Sequence, residues 1–329
     1  MQVELTCRAG STMRRMGNRP VMILRVVILC SGLALVGGCA LVGPPREVYW
    51  PRGVIVERDV TYATVNGRDL RLDLYRPEGS RDRLPVVVWV HGGGWFRGSR
   101  YPCPVARLAT RGYIVAAVEY RLLSTDARFP APVHDLKAAV RWLRHNAAHY
   151  QIDPDHIGVW GSSAGGMLAC MLGLTAGNPS MEGNEGVTGE DSSVKCVVAF
   201  FPMTDLPRLF SDEFPVRWEM RTAVKWLLGG VEPKDNPVLA QQASPIYWVH
   251  AGAPPHLVIH GGNDHWVPAQ HSVDFVESLL RAGVDAHAYI ATGYGHGIFM
   301  IANVHVRDQV HAFLDKYLKS PAKGESPGT

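Results

Sequence analysis

Residues 54–62 alternate apolar and polar side chains, Asn66-Gly67 is a hairpin turn signal, and residues 70–75 alternate again. Period-two alternation on either side of Asn-Gly predicts an antiparallel hairpin. The apolar stretches that follow do not alternate. Residues 85–90, 157–160, 194–201 and 256–260 form short continuous runs, as strands covered on both faces do, and further strands are predicted over 113–118 and 286–290. Val133, Leu136, Ala139, Val140, Leu143 and Ala147 recur at helical spacing, which predicts a packed amphipathic helix over 131–150. Other helices are predicted over 105–111, 216–228, 269–282 and about 299–318, with an apolar helix opening at 167–172. Strands alternating with helices imply a doubly wound, mostly parallel sheet whose ligands lie outside the carboxyl ends of the strands.

Two stretches break this rhythm. Residues 177–193 are rich in Gly, Asn, Ser and acidic side chains and read as an exposed loop. Residues 202–254 lie between two core strands and carry several prolines and the aromatics Phe210, Phe214, Trp218, Trp226, Tyr247 and Trp248. That segment is expected to be a lid-like insert or a wall of the substrate site, although packing of the insert onto the body accounts for any single aromatic equally well. With 329 residues, 47% of them hydrophobic and 19% charged, the chain has enough material for one α/β domain over 54–318. Residues 319–329 are a polar, Pro/Gly-containing tail, expected to be disordered.

The first 39 residues read as a leader. Arg14, Arg15, Arg19 and Arg25 precede the apolar run 26–36, and Gly37-Gly38-Cys39 follows. The run is too short to span a bilayer comfortably. Val36-Gly37-Gly38-Cys39 resembles a bacterial lipobox, so Cys39 is a candidate lipidation site and residues 40–53 a tether. On this reading the protein is exported to the bacterial cell envelope and meets the membrane only through an N-terminal lipid anchor; an ordinary secretory signal, with Cys39 incidental, would instead leave it periplasmic or secreted. A net charge of +3 with scattered basic residues implies no nucleic-acid partner. Three cysteines remain in the body, Cys103, Cys170 and Cys196, without CxxC spacing; they are expected to be buried thiols, with neither a metal site nor a disulfide framework.

Chemistry enters at Gly161-Ser162-Ser163-Ala164-Gly165-Gly166, between the run 157–160 and the apolar segment 167–172. This is the strand, turn, helix context of a GxSxG nucleophile elbow. Small residues two positions to either side of Ser163 are needed because strand and helix cross there. A second motif, His91-Gly92-Gly93-Gly94-Trp95, follows the buried run 85–90, and its consecutive glycines let backbone N–H groups approach a ligand closely. A serine hydroxyl needs a base, and the base needs an acid to orient it. After Ser163, Asp264 lies in the loop after one strand and His296, flanked by glycines, in the loop after the next. That chain order, Ser, Asp, His, selects both from a crowded field. His260 and His265 are rivals in sequence, but they sit beside the acid and are not expected to face it across the site.

With Glu119-Tyr120-Arg121-Leu122, His260-Gly261-Gly262-Asn263-Asp264 and Val267-Pro268, these motifs resemble the α/β-hydrolase fold esterases. They are most similar to the bifunctional feruloyl and acetylxylan esterase-like branch, near the hormone-sensitive-lipase-like esterases. The resemblance covers roughly 54–318. It implies a serine carboxylic ester hydrolase that needs no cofactor, with Ser163, Asp264 and His296 as triad and the N–H groups of Gly93, Gly94 and Ala164 as oxyanion hole. Glu119 and Arg121 are expected to brace the loops. Two departures from the hormone-sensitive-lipase-like pattern stand out: little chain lies between Cys39 and the first strand, and Ser162 replaces the usual Asp. Both point to an open site for short acyl groups or esters on a bulky carrier, including acetyl and feruloyl esters on carbohydrate. The alternatives are a peptidase or amidase on the same fold and a surface lipoprotein that only binds its ligand.

Overall fold

The computed structural model describes residues 51–125, 127–210 and 217–319. The leader with Cys39, residues 40–50 of the tether, Phe214 and residues 320–329 lie outside them.

Eight strands form one sheet: β1 (Val54–Val65), β2 (Arg68–Pro77), β3 (Leu84–Val90), β4 (Ile114–Val118), β5 (Ile152–Ser162), β6 (Val197–Phe200), β7 (His256–Gly261) and β8 (Ala286–Ala291). Their spatial order is β1-β2-β4-β3-β5-β6-β7-β8. β1 and β2 form the antiparallel hairpin at Asn66-Gly67, β2 is antiparallel to β4, and every other neighbouring pair is parallel. The continuous apolar runs have their physical reason in the two cores. Val86, Val88 and Val90 of β3 pack into the core on one face, whereas Val87 and Trp89 pack into the core on the other. Helices Ala131–His145 and Ala164–Leu174 cover the first face, and Val304–Leu318 covers the second. Each fully buried Val or Leu contributes about 1.5–3 kcal/mol relative to its exposed state. From β3 the chain steps to β4 on one side and then to β5 on the other. This switch point places the ends of β3 and β5 side by side, with Val90 opposite Gly161.

Two expectations need correction and a third needs refining. The helix predicted over 131–150 breaks at Asn146, whose side-chain amide donates to the Trp142 carbonyl at 2.8 Å, and Ala147–Tyr150 is a separate turn. The terminal helix breaks at Asn303, whose side-chain oxygen accepts from the His305 and Val306 N–H groups and caps Val304–Leu318. Residues 177–193, expected as an exposed loop, are largely exposed but hold the short helix Pro179–Glu182 and are tied to the body. Lys137, fully buried, donates to Glu182 at 2.7 Å and to the Thr175 carbonyl at 2.8 Å. Arg141 donates to the carbonyls of Val187, Glu182 and Glu185 at 2.6–3.0 Å. A loop with little secondary structure must find donors for its carbonyls when it packs down, and the cationic residues of helix Ala131–His145 supply them.

Cys103, Cys170 and Cys196 are buried free thiols. Two buried histidines tie folding to pH. His91 and His256 each donate an Nδ1–H to a backbone carbonyl, and burial, partly offset by those bonds, pushes each ring down to about 4 from an ordinary value of 6.5. The unfolded chain therefore binds more protons than the native one between pH 6.5 and 4, so this stability is present above pH 6.5 and is lost as pH falls towards 4. For these two rings the loss from pH 7 to pH 5 is roughly 2–4 kcal/mol, and burial holds His271 lower still, at about 3, so thermal melts are expected to show Tm dropping by about 10 °C or more over that range. A Tm flat over that range contradicts it.

Candidate active site

β5 delivers Ser163 in a backbone conformation that L residues avoid, with φ 55° and ψ −121°. Such a conformation costs on the order of 1–3 kcal/mol and persists only where the surroundings impose it. A Cβ on Gly161 would lie 2.0 Å from the Gly165 carbonyl oxygen, so the elbow closes only with glycine there. The Ser163 N–H donates to the Phe200 carbonyl of β6 at 2.8 Å, and the Ser163 carbonyl accepts from Met167 at 3.0 Å as helix Ala164–Leu174 begins. Ser163 thus sits at a helix N-terminus, where the Ala164 N–H has no intrahelical acceptor.

The loops after β7 and β8 meet this elbow. Asn263 donates its N–H to the Tyr294 carbonyl at 2.8 Å and so ties the Asp264 loop to the His296 loop. Across 32 residues of sequence, His296 Nδ1 lies 2.6 Å from Asp264 Oδ2, and His296 Nε2 lies 2.8 Å from Ser163 Oγ. With Nδ1–H donating to the carboxylate, Nε2 is free to accept the serine hydroxyl proton. The His296 ring packs 4.4 Å, centroid to centroid, from Phe201, and its side chain is 14% exposed. The Asp264 side chain is fully buried. Burial alone would raise its pKa; hydrogen bonds from His260 and His296, the His296 charge and the Val267 N–H outweigh it and hold the carboxyl well below the usual range. Its Oδ1 accepts the N–H groups of Trp266 and Val267 at 2.8 and 3.0 Å.

The glycine loop after β3 lies against the elbow. Gly93 has φ 121°, and a Cβ there would fall 2.0 Å from the Arg97 carbonyl oxygen, so no other residue fits. Tyr120 clamps the loop from below: its hydroxyl donates to the His91 carbonyl at 3.0 Å and its ring stacks on the His91 ring at 4.5 Å. Glu119 accepts from Arg68 and Arg100, and Arg100 also reaches Asp73 and Asp59. Arg121 is paired with Asp135 and Glu185. Glu119 and Arg121 thus brace loops and do not line the cleft.

Gly93, Gly94, Ser163 and His296 open into one cleft of about 670 Å³. Its walls are mostly apolar, formed by Phe96, Phe201, Trp218, Met220, Ala223 and Trp266, with Arg97 and Glu219 as charged members. Of the aromatics singled out in the insert, Trp218 alone among the described residues lines it, on helix Trp218–Leu227. Trp226 instead packs on Phe96, with ring centroids 4.6 Å apart, and Tyr247 and Trp248 line a separate groove with Leu174 and Pro179. Phe96 and Trp266 are wall residues that the sequence pattern does not mark, although each directly adjoins a motif. His265 is turned to solvent. His260 departs from expectation: buried in β7, it reaches the Asp264 carboxylate, with Nε2 3.1 Å from Oδ2. Among the described residues no group of three or more His, Cys, Asp or Glu side chains is arranged to hold a metal ion.

A family model for BD-FAE matches residues 72–279, which span β2 through most of the helix after β7. Esterase LipQ of Mycobacterium tuberculosis is 32% identical over 250 residues, covering 74% of this chain but only 57% of LipQ. The structure of a truncated carbohydrate esterase from gut microbiota superposes with a TM-score of 0.72 at 28% identity, over 84% of this chain and all of the other. The propionate-bound esterase Est2 of Thermogutta terrifontis gives a TM-score of 0.66 at 28% identity, over 82% of this chain and 97% of Est2. With the sheet order and the elbow, these likenesses place the chain in the BD-FAE family of α/β-hydrolase fold esterases.

Proposed function

We propose that this protein hydrolyses carboxylic esters through an acyl-enzyme formed on Ser163. The observation that carries the reading is the unbroken hydrogen-bond chain from Ser163 Oγ through the His296 ring to Asp264, set beside the glycine loop in an open cleft. His296 Nε2 takes the hydroxyl proton as Oγ attacks the ester carbonyl carbon. The negative charge on the carbonyl oxygen is met by the N–H groups of Gly93, Gly94 and Ala164. Collapse of the tetrahedral species breaks the bond to the alcohol, which leaves with the proton from His296. Water then enters, His296 takes its proton, and the same steps release the acid.

The preferred substrates are short-chain or carbohydrate-linked esters, acetyl and feruloyl among them. An apolar cleft open to solvent takes a small acyl group and leaves a bulky alcohol outside. A carbohydrate esterase and a propionate-bound esterase among the structural neighbours support this choice. Steady-state kinetics on p-nitrophenyl esters from C2 to C12, methyl ferulate, acetylated xylan and aminoacyl anilides test it. The highest kcat/KM is expected on the C2–C4 esters, falling with longer chains. Faster turnover of the anilides makes the protein a peptidase or amidase instead, and no turnover of any member points to a binding protein.

A further inference from the structure

The Asp264 carboxylate serves two imidazoles, not one. Oδ2 lies 2.6 Å from His296 Nδ1 and 3.1 Å from His260 Nε2, while Oδ1 is held by two backbone N–H groups. His260 is fully buried in β7. Its Nε2 lies between two acceptors, the carboxylate and the Val267 carbonyl at 2.9 Å, neither of which carries a proton to share. Nε2 is therefore the protonated nitrogen. Nδ1 lies 2.6 Å from the buried Ser272 hydroxyl, which donates to it in the neutral ring. The residues flanking His260 across the sheet, Phe201 and Ile290, bring no charge. The titratable and charged groups acting on this corner are Asp264, His296, His271 beside Ser272, and Arg208, whose guanidinium is paired with Asp274.

We propose that His260 is a positioning residue for ester hydrolysis: a neutral donor that shares Oδ2 with His296, fixes the carboxylate in the orientation His296 needs, and moderates how strongly Asp264 favours the imidazolium. The inference rests on the acyl-transfer reading of the site. An acceptor divided between two donors gives less to each. Removing His260 should let Asp264 bind the His296 imidazolium more strongly, so the base stays protonated to higher pH. At the same time the carboxylate loses one of the contacts that fix its rotamer. Ser272 acts one step further out, because a hydroxyl donating to Nδ1 strengthens the Nε2–H as a donor.

His260→Phe keeps the ring volume and removes the donor, His260→Gln restores an N–H near Nε2, and Ser272→Ala weakens the donor without touching the carboxylate. In His260→Phe, kcat on p-nitrophenyl acetate is expected to fall about 10–100-fold with KM within about twofold, the scale on which outer hydrogen-bond partners act. The acid limb of kcat/KM should move to higher pH by roughly half a unit to one unit. His260→Gln should recover most of kcat and return the limb, and Ser272→Ala should move it in the same direction by less. Titration of reactive serine with a fluorophosphonate normalises each rate to competent sites. If His260→Phe does not fold, the Ser272→Ala and His260→Gln profiles decide the matter. An acid limb that coincides with wild type in His260→Phe, or in Ser272→Ala where His260→Phe does not fold, or rate losses that vanish on normalisation, overturn the proposal. Absence of esterase activity in the wild type instead overturns the functional reading on which it rests.

Discussion

Replacing Ser163 with alanine is expected to lower kcat on p-nitrophenyl acetate by about 10⁴–10⁶ while leaving the fold and KM nearly unchanged. Removing Oγ takes away the atom that forms the covalent bond, and no other hydroxyl occupies its place. Ser162, the adjacent serine, also lines the cleft, but the base is hydrogen-bonded to the Ser163 hydroxyl, at 2.8 Å. The residual rate should be that of the remaining N–H donors acting on bound ester with water as nucleophile. The variant should be no less stable than the parent, because Ser163 carries φ 55° whichever small side chain it bears and alanine makes no new contact. The check is a kinetic comparison beside matched thermal melts; a folded Ser163→Ala protein that keeps most of its turnover removes Ser163 from the chemistry.

Asp264→Asn is expected to cost roughly 10⁴ in kcat. The site dictates how the amide must sit. Oδ1 accepts two backbone N–H groups from Trp266 and Val267, which cannot move without unwinding the turn, so the amide oxygen takes that place. Its NH₂ then occupies the Oδ2 position and faces His296 Nδ1 and His260 Nε2. A donor opposite Nδ1 selects the other tautomer of His296, with the proton on Nε2, and that nitrogen can no longer accept from Ser163. Binding of ester is untouched, so the loss should fall on kcat and not on KM. A variant within tenfold of wild type in kcat shows that Asp264 neither orients nor stabilises the base.

The parts of this architecture that the sequence discloses are those where one local requirement dominates. β3 is legible because a strand buried on both faces must be apolar at every position, and Val86 through Val90 are. The elbow is legible because only glycine fits at Gly161 and Gly165 where helix and strand cross. Asp264 and His296 follow from chain order, since each occupies the loop after a strand of a parallel sheet. What stays hidden depends on partners far apart in sequence. Lys137 and Arg141 look like the polar face of an amphipathic helix until the 177–193 loop arrives to use them as donors. His260, read from position alone, seems too close to Asp264 to face it. Four residues on, the chain has turned back through Gly261-Gly262, and the carboxylate lies against the ring. The breaks at Asn146 and Asn303 were readable in principle, because asparagine competes for helix backbone groups through its own side chain.

Covalent labelling tests the central claim most directly. Incubation of the folded protein with an alkyl fluorophosphonate, followed by intact mass and peptide mapping, should add one phosphonyl group per chain, on Ser163, with parallel loss of esterase activity. The Ser163→Ala protein should take up none. A label that maps to another residue, or a folded and esterase-active protein that takes up no label, would contradict the assignment of Ser163 as the nucleophile.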